Sequence, residues 1–238
     1  LRKSHRIITV SEFSRSEIIK FFGIPSKKIR IIYNTASSIF KPRKYFIEES
    51  DNFRKKFNLP EKFILNVGVI NKRKNIIALL KMYDILITKG SKLGLVLIGK
   101  PGFDYENIGP EIEKRGKGVV RINSMSDDEL LQLYNMAFAF VFPSYYEGFG
   151  IPPLEAMQTG LPVIASNTSS LPEVVGEGGI TRDPDDYVSF ANDIIKFETD
   201  SEFYSLMRTK ALQQSEKFNI RETTLQLIDI FNEFKLTK

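Results

Sequence analysis

The chain has 238 residues, enough for one large domain or one domain with part of another. It contains no cysteine and a single histidine, His5. Disulfides, thiolate metal sites and His-based metal clusters are therefore excluded, and a histidine general base is not favoured. The formal net charge of +5 suits phosphorylated ligands, nucleic acid or an anionic membrane face, and it does not choose among them.

Targeting signals are not visible in the sequence. No apolar run reaches the ~18–20 residues that a membrane span needs, and no signal peptide precedes a cleavage site. The lack of cysteine fits a reducing compartment, so we expect a cytoplasmic protein, with peripheral contact at the inner membrane face left open. The first residue is Leu1, directly before a strand pattern, and we expect the chain to be the carboxy-terminal part of something longer.

Apolar, β-branched runs alternate with amphipathic stretches along most of the chain. Strands are predicted at 6–11, 28–33, 63–69, 93–99, 119–123, 138–142 and 162–166. Helices are predicted at 14–22, 75–89, 103–116, 127–137 and 153–159, and helical periodicity dominates from 185 to 236. Continuous hydrophobic strands separated by helices predict an α/β fold, a doubly wound parallel sheet with a helical C-terminal segment.

The stretch from 36 to 59 interrupts this alternation with serine and proline, followed by many charged residues. We predict a connector there, between an incomplete first unit at 1–35 and a complete α/β domain at 60–200. The last part, 201–238, is predicted to form C-terminal helices.

A cluster of cations follows the predicted strand 63–69. Lys72, Arg73 and Lys74 stand just before a helix that opens at Asn75. Ligands of doubly wound sheets bind outside the carboxyl ends of the strands, and cations beside free helix N–H groups can bind a diphosphate there. A solvated basic turn is an equally good interpretation of these three residues taken alone.

The segment "FPSYYEGFGIPPLEAMQTGLPVIAS" follows the predicted strand 138–142. Its glycines, Gly148 and Gly150, allow the backbone to approach a ligand closely. The two prolines after them fit a first helical turn, which places Glu155 in that turn, where its carboxylate could bind the vicinal hydroxyls of a ribose. Dipole compensation by Glu155 and an exposed loop position for Glu147 explain the spacing equally well.

The same segment resembles the signature of the retaining glycosyltransferases of the GT-B fold, the "group 1" or family 4 class. The hallmark is a Glu, seven residues and a second Glu in the setting P-S-x-x-E-G-F-G-x-x-x-L-E-A-M-x-x-G-x-P-V-I-A. The stretches "ITVSEFSRSEI", "KIRIIYN", "VGVINKRKN", "SDDELLQLYNMA" and "LPEVVGEGG" also follow the order of the family. The resemblance covers essentially the whole chain and implies the Rossmann-like C-terminal half of a GT-B enzyme, which binds the donor.

The resemblance implies a role for each charged residue of the segment and of the basic cluster. Glu147 would face the donor sugar near the reacting carbon, and Glu155 would hold the ribose. Lys74 would neutralise the donor diphosphate, with Arg73 as a weaker candidate. Many members carry an arginine where this chain has Val69, so the phosphate charge would fall more heavily on Lys74, helped by Arg73 or Lys72.

Further donor contacts are implied by the same resemblance. The backbone of Phe149 and Gly150 would contact the sugar and lead toward the phosphates, with Leu154 in the same donor segment. The turn from Ile122 to Ser124 would read the nucleobase through its backbone. Residues 1–35 would be the tail end of an amino-terminal domain that binds a glycan or lipid-linked acceptor.

The implied reaction is transfer of a hexosyl group from a GDP-, UDP- or ADP-sugar to an acceptor hydroxyl, with retention of configuration, in surface polysaccharide synthesis. No metal or other cofactor is expected, because lysine, arginine and helix N–H groups would meet the phosphate charge. The sequence Asp183–Asp185 superficially matches the metal motif of the other glycosyltransferase fold, but an N-cap turn explains it better. A nucleotide-sugar-binding module that needs a separate acceptor domain is an alternative, and nucleic-acid binding is not expected.

Overall fold

The computed structural model describes residues 4–235, and their side chains up to residue 233. Its first part is a parallel pair of strands, β1 (Ile7–Thr9) and β2 (Ile29–Ile31), separated in the chain by α1 (Glu12–Phe22). Ser11 caps α1 by accepting a hydrogen bond from a first-turn N–H, which is the usual role of serine at this position.

The second part is a six-stranded sheet. Its strands are β3 (Phe63–Val67), β4 (Gly94–Ile98), β5 (Val119–Ile122), β6 (Ala139–Phe142), β7 (Val163–Ser166) and β8 (Gly179–Arg182). They lie in the order β5-β4-β3-β6-β7-β8, and every neighbouring pair is parallel. The chain therefore winds outward from β3, returns to the centre and winds outward again from β6. The predicted doubly wound parallel sheet is confirmed.

Helices connect the strands and follow the last one. They are α2 (Ile47–Phe57), α3 (Ile76–Thr88), α4 (Tyr105–Glu113), α5 (Asp127–Met136), α6 (Ile151–Gln158), α7 (Leu171–Val175), α8 (Tyr187–Thr199), α9 (Ser201–Ser215) and α10 (Ile220–Lys235). Because alternate strand residues point to opposite faces, the sheet has two apolar layers. One layer contains side chains of α3, α4 and α8, and the other contains side chains of α5, α6 and α7.

Three elements, α2, α7 and β8, lie where the sequence predicted none. Helix α7 has only five residues, too few to show a helical period. Helix α2 occupies much of the predicted connector at 36–59; it is densely charged and buries only Phe53, so it shows no apolar period. Strand β8 is a four-residue edge strand with a glycine and an arginine, and its residues are all half-buried, so it lacks the apolar run that marks the other strands.

Up to residue 235, the periodic stretch predicted at 185–236 contains the three helices α8, α9 and α10, and residue 236 lies outside the described residues. Helix α10 leaves large apolar side chains exposed, among them Ile220, Leu225, Ile228 and Phe231. None of the helices in the described part of the chain is long and apolar enough to span a membrane. The assignment of 1–35 to a second domain stays a prediction.

Candidate functional site

The strand order reverses between β3 and β6, which are neighbours at the centre of the sheet. In open α/β sheets such a reversal leaves a crevice outside the carboxyl ends of the two strands, because the chain leaves them toward opposite faces. The loop after β3 carries the predicted cations, and the loop after β6 carries Glu147. The topology therefore places these two parts of the predicted site side by side.

The basic cluster is a single 3₁₀ turn with an asparagine at each end. Asn71 caps the turn by accepting a hydrogen bond from the Lys74 N–H at 3.0 Å. Asn75 ends it with φ of +53°, in the left-handed region that asparagine tolerates better than most residues. The turn separates the three cations: Lys72 and Arg73 are exposed, whereas Lys74 is buried.

Lys74 and Glu147 form a direct ion pair, with 2.6 Å between Nζ and Oε1 and side chains that are 8% and 11% exposed. The ammonium group also lies 4.3 Å from the centroid of the Phe142 ring. Burial lowers the pKa of Lys74, and the neighbouring Glu147 carboxylate acts in the opposite direction. A Cβ at Gly68 would come within 3.1 Å of Lys74 Cε, so glycine just after β3 leaves room for the side chain. Neither Lys74 nor Glu147 is a solvated loop residue.

Arg73 is a second cation on the same carboxylate. Its guanidinium lies 2.8 Å from Glu147 Oε1, and it also donates to the Tyr146 carbonyl. The Arg73 side chain is 45% exposed, so water screens its charge far more than that of Lys74. The sequence analysis gave Arg73 as a weaker candidate than Lys74 for binding the diphosphate, and the difference in burial has the same order.

The chain from Glu147 to α6 runs through Gly148, Phe149 and Gly150. Gly150 has φ of +117°, which favours glycine, and it is the N-cap of α6. Within residues 4–235, the N–H groups of Gly148, Phe149 and Gly150 have no recorded hydrogen-bond acceptor. The Phe149 side chain is buried against other aromatic rings, which leaves only its backbone for a ligand.

Glu155 lies on α6 in a different environment. Its Oε2 accepts a hydrogen bond of 2.8 Å from the Tyr134 hydroxyl, a neutral partner. Burial raises the pKa of Glu155, and the Tyr134 hydrogen bond opposes that rise. The sequence predicted Glu155 in the first turn of its helix. Helix α6 begins at Ile151, so Glu155 is its fifth residue and lies beyond that turn. Dipole compensation acts within the first turn and does not explain a carboxylate at this position.

The other predicted contact residues are distributed along the same edge or beneath it. Ile122 ends β5, and its carbonyl accepts the Gly99 N–H at 2.8 Å, while Ser124 is exposed just beyond. Leu154 is fully buried in the core, and its N–H is donated to the Gly150 carbonyl at 3.3 Å. The helical register of α6 turns the Leu154 side chain inward, so its geometry does not favour the predicted donor contact.

The acidic residues after β8 form the turn that precedes α8. The Asp183 side chain accepts the Asp185 N–H, and Asp186 caps α8. The Tyr145 hydroxyl donates to Asp185, which raises the pKa of Tyr145 to about 12. Between residues 4 and 235, no group of three or more His, Cys, Asp or Glu is arranged to hold a metal ion.

Tyr134 is a site residue that the sequence analysis missed. It lies in the predicted helix 127–137 at a fully buried position, where a phenol hydroxyl normally needs a hydrogen-bond partner. That requirement was the available signal, but the partner, Glu155, became visible only in three dimensions.

A separate cavity of about 330 Å³ is lined by Lys72, Asp104 and Tyr145 among others, and by neither Lys74 nor the two glutamates.

The doubly wound sheet is the fold of the GT-B glycosyltransferases among the solved structures, and it places the Lys74–Glu147 pair at its switch point. The family profile described as Glycosyl transferases group 1 matches residues 48–214, more than half of the chain. The chain belongs to this family.

Curated relatives include mannosyltransferases. O-antigen chain mannosyltransferase B of Escherichia coli is 35% identical over 229 residues, which is 94% of this chain and 60% of that protein. Serotype-specific mannosyltransferase WbdA of Escherichia coli is 34% identical over 234 residues, 96% of this chain and 29% of that protein. The chain therefore spans less than two thirds of the length of either relative.

Solved structures of other glycosyltransferases share the fold. Sucrose-phosphate synthase from Thermosynechococcus elongatus superposes with a TM-score of 0.83 at 23% identity, over all of this chain and 60% of that one. Anabaena Alr3699/HepE in complex with UDP-glucose gives a TM-score of 0.84 at 18% identity, over 97% of this chain and 64% of that one. At these identities the similarity concerns the fold alone.

Proposed function

We propose that this chain is the donor-binding part of a retaining glycosyltransferase. The reaction transfers a hexosyl group from a nucleoside-diphosphate sugar to an acceptor hydroxyl. The observation that carries the proposal is the ion pair of Lys74 with Glu147, buried at the switch point of the sheet. A buried ion pair is costly to maintain for stability alone, so its place in a ligand crevice favours a binding role.

Lys74 is proposed to bind the diphosphate of the donor, with Arg73 beside it. In the transfer step the bond from the anomeric carbon to the diphosphate breaks, and negative charge grows on the departing oxygen. A cation that is already fixed in a desolvated site stabilises that charge without reorganisation. The open N–H groups of Gly148 to Gly150 supply further donors for phosphate or sugar oxygens, so the proposal requires no metal ion.

The two glutamates are proposed to bind different parts of the donor. Glu147 would accept hydrogen bonds from sugar hydroxyls near the reacting carbon. Glu155 would accept hydrogen bonds from the ribose hydroxyls, a task for which its carboxylate is held in place by Tyr134. The turn from Ile122 to Ser124 would read the nucleobase through backbone groups.

For the donor we propose GDP-mannose, because the two curated relatives described above are named mannosyltransferases, with O-antigen or serotype in their names. A UDP-sugar is the next choice, since a structural neighbour was solved with UDP-glucose. The acceptor would be a glycan or a lipid-linked glycan of a surface polysaccharide. We place the reaction in the cytoplasm, with peripheral contact at the inner membrane face when the acceptor is lipid-linked.

Calorimetry with GDP, UDP and ADP, followed by a transfer assay with the corresponding sugars, tests the proposal on the natural protein. We expect one diphosphate to bind and its sugar to be transferred. Binding without transfer, even with glycan acceptors present, would favour a nucleotide-sugar-binding module instead. No binding of any diphosphate would refute the donor site, and a strict manganese requirement would contradict the metal-independent scheme.

A further inference from the structure

The backbone of the loop that carries Glu147 is held by serine hydroxyls. On the side of α7, the Ser170 Oγ lies 2.9 Å from the Glu147 carbonyl oxygen and 2.7 Å from that of Phe149, so its one hydrogen is shared between them. The neighbouring Ser169 Oγ accepts the Glu147 N–H at 2.9 Å. Two adjacent serines therefore fix both ends of this short loop.

Two more serines hold the middle of the loop from the other side. The Ser11 Oγ lies 2.8 Å from the Gly148 carbonyl oxygen, and the Ser14 Oγ lies 3.2 Å from the same oxygen. The two hydroxyls are 2.9 Å apart, and Ser11 is completely buried. Both belong to the start of α1, in the small sheet unit at the beginning of the chain. The loop is thus shared between two parts of the structure.

Glu173 links α7 to the start of α1. It lies on α7, shortly after Ser169 and Ser170, and its carboxylate accepts the Glu12 N–H at 2.8 and 3.0 Å and the Phe13 N–H at 3.4 Å. A carboxylate at a helix N-terminus is favoured by the helix dipole. The start of α1 is therefore tied to α7, and the loop lies between them.

We propose that this network positions the donor loop for transfer of the sugar, an inference that rests on the proposed function. We call it the serine clasp; it consists of Ser11, Ser14, Ser169, Ser170 and Glu173. A loop with two glycines has little stiffness of its own. The clasp serines bind its carbonyl groups and the Glu147 N–H, and they hold Glu147 beside Lys74. Within residues 4–235, the N–H groups of Gly148 to Gly150 point to no protein acceptor. Clasp residues are positioning residues and need not touch the donor.

Ser14 is the clasp residue best suited to a test. Ser11 also caps α1, so its removal would weaken the helix itself. The Ser14 hydroxyl contacts Ser11 and Gly148. Ser14→Ala removes that hydroxyl, and Ser14→Thr keeps one. Ser16→Ala is a matched control on the same helix, because the exposed Ser16 hydroxyl donates to the Phe13 carbonyl of its own turn.

The experiment measures the turnover number, the KM for the donor and the thermal midpoint of the natural protein and its three variants. We expect Ser14→Ala to lower turnover about tenfold, a moderate share of the ~10² that a misplacement of about 1 Å can cost. The KM for the donor and the thermal midpoint should change little, Ser14→Thr should recover most of the turnover, and Ser16→Ala should behave like the wild type.

Wild-type turnover in Ser14→Ala would overturn the clasp, and so would a loss that follows the fraction of unfolded protein or that Ser14→Thr fails to recover. Failure of the proposed function has a different signature, because the wild-type protein itself would then transfer no sugar from any donor. That result would remove the basis of the clasp as well, whereas the three outcomes that overturn the clasp leave the proposed function intact.

Discussion

Glu147 and Glu155 belong to one loop-and-helix segment, yet the structure surrounds them with opposite chemistry. Glu147 is paired with two cations, of which Lys74 is buried with it. Glu155 has a neutral phenol as its partner, and burial raises its pKa. The first carboxylate is held by charged partners of the protein itself. The second is held in place by a neutral donor, so its negative charge is under-compensated.

This difference indicates how the two halves of the site would work. A diphosphate would have to compete with Glu147 for Lys74, because the two side chains form an ion pair. Once Lys74 binds the phosphate, the Glu147 carboxylate would become available to sugar hydroxyls. The Glu155 carboxylate accepts a hydrogen bond from Tyr134, and ribose hydroxyls would donate further hydrogen bonds to it. The predictions below test this contrast between a pre-paired and an incomplete carboxylate.

The largest effect is expected at the paired site. Lys74→Ala removes the buried cation, so the departing diphosphate loses its fixed counter-charge, and turnover should fall by ~10²–10³. Lys72→Ala, at the exposed first residue of the same 3₁₀ turn, is the matched control and should stay within about threefold of the wild type. Steady-state kinetics at saturating donor measure both. A Lys74→Ala enzyme as active as the Lys72→Ala enzyme would show that the pair serves stability alone.

The next effect concerns the incomplete site. Glu155→Gln keeps the shape and the Tyr134 hydrogen bond but loses the charge, so affinity for the nucleoside diphosphate should fall about tenfold, with turnover at saturating donor little changed. The 2′-deoxy ligand provides the control: it should bind the wild type more weakly and bind Glu155→Gln about as well as the ribose form does. Additive losses from the two changes would place Glu155 away from the ribose.

A third prediction uses the pKa of Glu155. Because folding raises this pKa, the folded state binds a proton more tightly than the unfolded state, and the free energy of unfolding falls as the pH rises through the interval between the two values. Glu155→Gln escapes that loss. Relative to the wild type it should gain about 1.4 kcal/mol between acidic and neutral pH for each unit by which the pKa is raised.

Denaturant unfolding of the wild type and Glu155→Gln at about pH 4 and about pH 7 measures this difference. Glu61→Gln, the same substitution at an exposed position just before β3, is measured beside it for comparison. A stability difference between Glu155→Gln and the wild type that stays constant with pH would mean that the carboxylate is not under-compensated. The contrast with Glu147 would then lose its physical basis.

Much of this arrangement was predictable from the sequence because the central strands carry continuous apolar runs. In the observed strand order β3 and β6 are neighbours, and this places the loops that follow them side by side. What could not be predicted depends on contacts between distant segments. Burial separates Lys74 from its equally basic neighbours only through the geometry of one turn, and Tyr134 reaches Glu155 from another helix. Charged α2 and half-buried β8 lack the period on which prediction depends.

The smallest effect is expected at Arg73, and it separates charge from burial. Arg73 binds the same carboxylate as Lys74, but its side chain is 45% exposed against 8% for the lysine. Water and salt screen an exposed charge, so Arg73→Ala should lower kcat/KM only about threefold, and about 1 M salt should abolish most of that difference. Kinetics at low and high salt measure it, with Lys74→Ala compared under both conditions. Because the loss at Lys74 comes from a desolvated charge, it should persist in salt. Equal losses from the two variants would mean that the number of cations around Glu147 matters and their burial does not.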